Sequence, residues 1–256
     1  MRNEAQDSEG TSGLWERHAG LGSLRAVLDP NDVAGWKNQL IDAMQWLALA
    51  PYVDGGCQLL DVGCGTGRFA RRLAARGVRY TGIDASPAMV ARAKQATPEL
   101  AERFSIADAC QLPFADGEFD SGLTCGVLAC LMHTEGAPAF AAEIRRVLGA
   151  GGRLLAIEQV SYSGRSSGTV SYSSTEADYV STLGAGFRIV AMTRIRCSYF
   201  GRPTRWLLNN APRAPRVSSK LMEYAARSEI RRARTASASL CRKAEYFDLL
   251  IAAVAR

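Results

Sequence analysis

Three carboxylates and three glycines carry the first chemical signal in this 256-residue chain. In "LLDVGCGTGRFA", residues 59–70, Asp61 ends an apolar run, and Gly63, Gly65 and Gly67 follow at alternate positions with Cys64 among them. Glycine at a strand-to-helix turn admits positive φ and removes Cβ atoms, so a ligand can lie against the main chain and the helix N-terminus. An empty tight turn uses glycine too, so the neighbours decide. The spacing is GxGxG rather than the GxGxxG of dinucleotide binders. Asp61 is placed to aim a carboxylate into the loop. Asp84 closes the next apolar segment, 17 residues after Gly67, where open α/β sheets bind ligands and a carboxylate can accept both hydroxyls of a ribose. Asp108, in "SIADACQLPF", is placed to accept an exocyclic amine while the Ala109 N–H serves a ring nitrogen, and Met89, in "DASPAM", is spaced to pack on the same ring.

The elements that must hold these residues alternate regularly. "CQLLDVG" predicts a strand, "GRFARRLAARG" a helix capped by Gly77, "VRYTGID" a strand, and "SPAMVARAKQA" a helix with Ser86 as N-cap and Pro87 at its first position. "FSIADA", "FDSGLTC" and "GGRLLAIEQV" predict further strands, with the helix "APAFAAEIRRVL" before the last of them. Such alternation implies right-handed βαβ units and a parallel sheet covered on both faces. Around this core, residues 1–13 predict a disordered tail and 14–55 an N-terminal helical lid, with Trp36, Leu40, Met44 and Leu47 on one helix face. The core itself is expected over 56–200. It includes a Ser/Gly loop after Val160, the helix "TEADYVSTLGAGF" and the strand "RIVAMTRIRCSYF". A helical insert capping the substrate is expected over 201–245, and the last strand over 246–256.

Composition excludes several classes. At 47% hydrophobic and 22% charged the chain reads as an ordinary globular protein. It has no apolar run long enough to span a bilayer and a polar N-terminus, and is expected to be cytoplasmic. Seven scattered cysteines without a CxxC pair point to free thiols rather than a disulfide framework, and no metal site is expected. Residues 200–256 carry 12 basic against 4 acidic side chains, whereas the rest is slightly acidic. Since 27 of the 31 basic residues are arginine, part of that excess can reflect coding bias.

"LLDVGCGTGRFA", "GIDASPAMV", "DACQLPFADGEFD" and "EIRRVLGAGGRLLAIE" together resemble the successive motifs of class I S-adenosylmethionine-dependent methyltransferases, in the broad group similar to the ubiquinone and menaquinone methyltransferases. The resemblance covers residues 57–160 and implies a Rossmann-like α/β fold with S-adenosyl-L-methionine as cofactor. It implies that Asp61 and the glycine loop, including Cys64, hold the methionine end. Asp84 with Ala85 would hold the ribose, and Asp108, Ala109 and Met89 the adenine. Cys125 falls where such enzymes turn backbone toward the sulfonium. Ala150 stands where the family usually has proline, a departure confined to the turn before a strand.

These motifs leave the acceptor open. Methyl transfer needs alignment and desolvation, and a base only where the nucleophile holds its proton tightly. His133, in "CGVLACLMHTEG", and His18, in "LWERHAG", are the two imidazole candidates, with Glu158 a further carboxyl and Trp15 a lid residue. No Asn/Asp-Pro-Pro-Tyr segment, Pro-Cys dipeptide or Tyr-xxx-Lys pair occurs. DNA amine methylation, a cytosine-C5 nucleophile and a short-chain reductase are thereby disfavoured. In the insert, Arg216, Lys220, Arg227, Arg231 and Arg234 are expected on one helix face and Val217, Leu221, Tyr224 and Ala225 on the other. The expected activity is O-methylation of a small or glycan-type metabolite, neutral or anionic. Quinone-ring C-methylation, RNA methylation and a non-catalytic cofactor-binding subunit are the alternatives.

Overall fold

In a computed structural model, β1 (Gln58–Val62), β2 (Arg79–Asp84), β3 (Phe104–Ile106), β4 (Ser121–Cys125) and β5 (Arg153–Ser161) run parallel. Long β6 (Phe187–Cys197) and β7 (Tyr246–Ala255) pair antiparallel, giving the order β3-β2-β1-β4-β5-β7-β6. The structure describes residues 11–132, 134–161, 174–197, 200–210, 219–236 and 246–256. The expected Ser/Gly loop falls almost wholly outside these, and so does the expected tail, except that α1 (Thr11–Ala19) already begins at Thr11.

Alternating side chains of each strand reach opposite faces. Leu59, Leu123, Leu155 and Ile157 pack on one side with Leu40, Met44 and Leu49 of α3 (Trp36–Leu49). Leu60, Val62, Leu154 and Ala156 pack on the other. There they meet α7 (Gly136–Leu148), whose Ala137, Phe140, Ala141, Ile144 and Val147 recur at helical spacing, and Tyr179 of α8 (Glu176–Gly184). Short α2 (Ser23–Val27) and α4 (Ala70–Ala74) flank the site, and α6 (Val127–Leu131) follows β4. In α5 (Pro87–Ala96), the Ser86 hydroxyl accepts from the Met89 N–H at 3.2 Å, the cap expected from sequence.

Two expectations need correcting. Asp108 does not end a strand: β3 stops at Ile106, and the Asp108 carboxylate turns back to accept the Cys110 N–H at 2.8 Å. In the insert, α9 (Arg202–Asn210) is followed by α10 (Ser219–Arg234), which buries Met222, Ala225, Ala226, Ile230 and Ala233, whereas Leu221 and Tyr224 are exposed. Arg216 and Val217 lie outside the described residues. Small alanines let α10 approach α3 and β6 closely, so it packs beside the sheet. Among the described residues, none from 201 to 236 lines the two cavities described next.

Candidate active site

The strand order reverses direction of growth between β1 and β4, and a cavity of about 270 Å³ opens at the carboxyl ends of these strands and β2. Gly63, Gly65 and Gly67 take φ of 70°, 54° and 69°, left-handed values that only glycine adopts readily. The loop is also hemmed in by the protein itself. A Cβ at Gly63 would stand 2.1 Å from Val127 Cγ2, one at Gly65 2.6 Å from Val27 Cγ1, and one at Gly67 2.8 Å from the Phe104 ring. The Cys64 N–H donates to the Ile83 carbonyl (2.8 Å), stitching the loop to β2.

The acids divide the cavity wall. The Asp84 carboxylate accepts the Gly65 N–H at 2.8 Å and the Ser86 N–H at 2.9 Å, and burial raises its pKa. Asp61, 3% exposed, accepts the Tyr80 hydroxyl at 2.9 Å, but burial outweighs that bond and pushes its carboxyl up to about 7. Cys64, Ala85, Met89, Ala109 and Cys125 share the lining, with exposed Asp108 at the far end. The structure therefore brings the residues expected at the cofactor end onto one cavity wall, except Gly67, which packs against Phe104 and Ala93 instead. Trp15 lies over the cavity, and the Glu16 carboxylate of α1 accepts the Ser86 hydroxyl at 2.6 Å.

A second cavity of about 310 Å³ adjoins the first and shares Trp15, Val27, Cys125 and Gly126 with it. Its walls carry His18, Asp29, Lys37, Gln45, Glu158, Arg196, Tyr246 and Asp248. Buried Arg196 and Asp248 form a double hydrogen bond at 2.8 Å each, brought opposite one another across β6 and β7 by a bulge that ends at Arg196. Gln45 Nε2 donates to Asp248 at 3.2 Å, and Gln45 Oε1 accepts from Arg68 at 2.7 Å. Arg68, under the glycine loop, also donates to Asp42 (2.9 Å) and to Cys125 Sγ (3.0 Å), so one hydrogen-bonded chain links the two cavities. Glu158, 1% exposed, accepts the Leu128 and Ala129 N–H groups at 3.3 and 3.0 Å, and burial pushes its carboxyl up to about 8. Burial lowers the His18 pKa. His133 lies outside the described residues.

Sequence reasoning missed Arg68, Gln45, Arg196, Tyr246 and Asp248. A signal existed for two of them. Arg68 follows the third glycine directly, and Asp248 is the only charged residue in the apolar strand "YFDLLIAAVA".

With this geometry in place, comparison with known proteins gives its class. Residues 60–156 match the family described as "Methyltransferase domain". A 2-methyl-6-phytyl-1,4-hydroquinone methyltransferase of Synechocystis is 35% identical over 144 residues, covering 55% of this chain and 44% of that protein. A demethylmenaquinone methyltransferase of Beutenbergia cavernae is 37% identical over 123 residues, covering 48% of this chain and 46% of its own. The chain thus spans less than half the length of either relative. Among solved structures, the [4+2]-cyclase SpnF is 25% identical with a TM-score of 0.58, covering 94% of this chain and 91% of that one. Residues 60–156 thus resemble a methyltransferase domain, and the seven-stranded sheet has the Rossmann-like fold of class I methyltransferases. The cofactor of this class is S-adenosyl-L-methionine. Among the described residues, no helix is long and apolar enough to cross a membrane.

Proposed function

We propose that this protein methylates a hydroxyl of a small, polar acceptor, with S-adenosyl-L-methionine in the first cavity and the acceptor in the second. The observation that carries the reading is the passage at Cys125–Gly126, where an acid-and-glycine cleft meets a cavity walled by charged side chains. The first cavity fits the cofactor. Asp61 and the loop amides suit an amino-acid end, and Asp84 keeps unused lone pairs for ribose hydroxyls beyond those its two amide donors occupy. Asp108, Ala109 and Met89 flank a slot for a flat base. When bound, the cofactor supplies a methyl group on a sulfonium, a good and neutral leaving group.

The chain's own task is then to align the acceptor and keep water out. Trp15 and Val27 cover the passage. The Glu158 carboxylate, once ionised, and the His18 imidazole, whose pKa burial lowers, are groups able to take a proton from an acceptor hydroxyl. Arg196, Lys37 and the acids opposite them suit a hydroxyl-rich or glycan-type molecule, charged or not, better than an apolar ring.

A second reading, C-methylation of a quinone ring, is favoured by the names of the two relatives. SpnF is a reminder that this fold also serves other reactions. The test is a labelled-methyl screen of metabolite extracts with purified protein, followed by magnetic resonance of the product. An O-methyl signal supports the proposal, a ring C-methyl signal supports the second reading, and a protein that ignores adenosylhomocysteine refutes both.

A further inference from the structure

The basic segment ahead of β7 takes no part in the site. In α10 the inward side is apolar, completed by Glu229, whose carboxylate accepts the Thr204 hydroxyl and the Gly201 N–H and so ties α9 down. On the outward side Lys220, Tyr224, Arg227, Arg231 and Arg234 are all exposed, Tyr224 at 72%. At three- and four-residue steps they form one stripe roughly 80° wide and about 20 Å long. In α9, Arg202, Arg205 and Trp206 are exposed too, the indole at 68%. Across the described residues of both helices the exposed charged side chains are six basic and one acidic, Glu223, which pairs with Arg227 at 2.6 Å.

We propose that this stripe of α10 docks on the surface of an anionic phospholipid bilayer. Charge complementarity is the main argument. Lys220, Arg227, Arg231 and Arg234 along the stripe meet lipid phosphates, and each basic side chain near such a surface adds to the attraction. Tyr224, exposed within the stripe, supplies the second argument, since a phenol ring suits the headgroup level, with an apolar body and a polar tip. A third argument is that only one aromatic, Tyr224, is exposed on the stripe, whereas single-stranded nucleic acid is held on platforms that stack its bases. Because the apolar side of α10 is already buried in the protein, α10 does not sink into the acyl region. The contact is electrostatic, shallow and reversible.

The test uses the full chain and co-sedimentation with vesicles of phosphatidylglycerol and phosphatidylcholine in equal parts, against phosphatidylcholine alone. Binding is expected only to the anionic vesicles and is lost at about 0.5 M salt, where screening shortens the reach of each charge. Arg227→Glu with Arg231→Glu lowers partitioning by at least about tenfold while thermal melting stays unchanged, because both side chains are exposed. Equal binding to both vesicles, no binding to anionic vesicles at low salt, or full partitioning by the charge-reversed variant overturns the proposal. So does a single-stranded RNA oligonucleotide that binds more tightly and displaces the vesicles, which assigns the face to nucleic acid. None of these outcomes depends on the reaction catalysed.

Discussion

With Asp61 at the cofactor's amino-acid end, as proposed above, cofactor binding should release a proton. Its carboxyl is pushed up to about 7 by burial, although the Tyr80 hydroxyl donates to it at 2.9 Å and the Arg68 charge favours its ionised form. In the empty cleft at pH 6 most molecules therefore carry Asp61 protonated, whereas holding an ammonium requires the carboxylate. The free energy of ionising it falls as pH rises, so affinity for adenosylhomocysteine rises roughly fifteenfold between pH 5.5 and 7 and then levels off. Close to one proton leaves per ligand at the lower pH and about one half at pH 7. Stability of the empty protein runs the other way. The unfolded chain releases this proton near pH 4 and the native state only near 7, so Asp61 destabilises the fold progressively across that window, by about 4 kcal/mol at its upper end. Titration calorimetry in buffers of different ionisation enthalpy counts the protons directly. Asp61→Asn should bind weakly, release no proton and show a shallower decline in stability with pH, the share due to the raised Glu158 carboxyl remaining. Affinity that is flat from pH 5.5 to 7, or proton release that persists in Asp61→Asn, refutes the reasoning.

Two further outcomes follow from the same geometry. Asp84→Ala leaves the Gly65 and Ser86 N–H groups without their acceptor and removes the ribose contact, so calorimetric affinity for the cofactor should weaken by about 1–3 kcal/mol; unchanged affinity rejects the ribose role. Asp248→Ala strands the buried Arg196 charge, 7% exposed at its side chain, and should destabilise the protein by about 3–5 kcal/mol in denaturant unfolding; a loss below ~1 kcal/mol would mean that Arg196 finds water or another partner.

The core and the cofactor end were legible because both rest on local patterns. A strand, a glycine turn and a capped helix are each written within a dozen residues, and Ser86–Pro87 marks the start of α5 unambiguously. The second cavity was not legible, because its residues meet only through strand register. Arg196 and Asp248 stand 52 positions apart in sequence and face each other because β7 runs antiparallel to a bulged β6. The faces of α10 were misread for a different reason. In a helix so rich in arginine and alanine, large Leu221 and Tyr224 look like the core side, yet the face turned to the core carries Met222, Ala225, Ala226 and Ile230, one position further on.

The glycine loop shows how far fold and function can be separated at one site. Gly67 is fixed by Phe104 and Ala93, which belong to the packing under the sheet, and that requirement would exist with no ligand at all. Gly63 and Gly65 are fixed by Val127 and Val27, and both valines line the cavity wall. Bare backbone at these two positions therefore sets the wall's shape from behind, in addition to letting a ligand approach from the front. Glycine spacing taken alone would be satisfied by a structural turn. What a structural turn does not require is a carboxylate on the neighbouring strand that reaches back to the Gly65 amide, with a second, protonatable carboxyl buried beneath the same loop. The functional signal thus resides in the acids, and the glycines are the condition that lets those acids face a ligand.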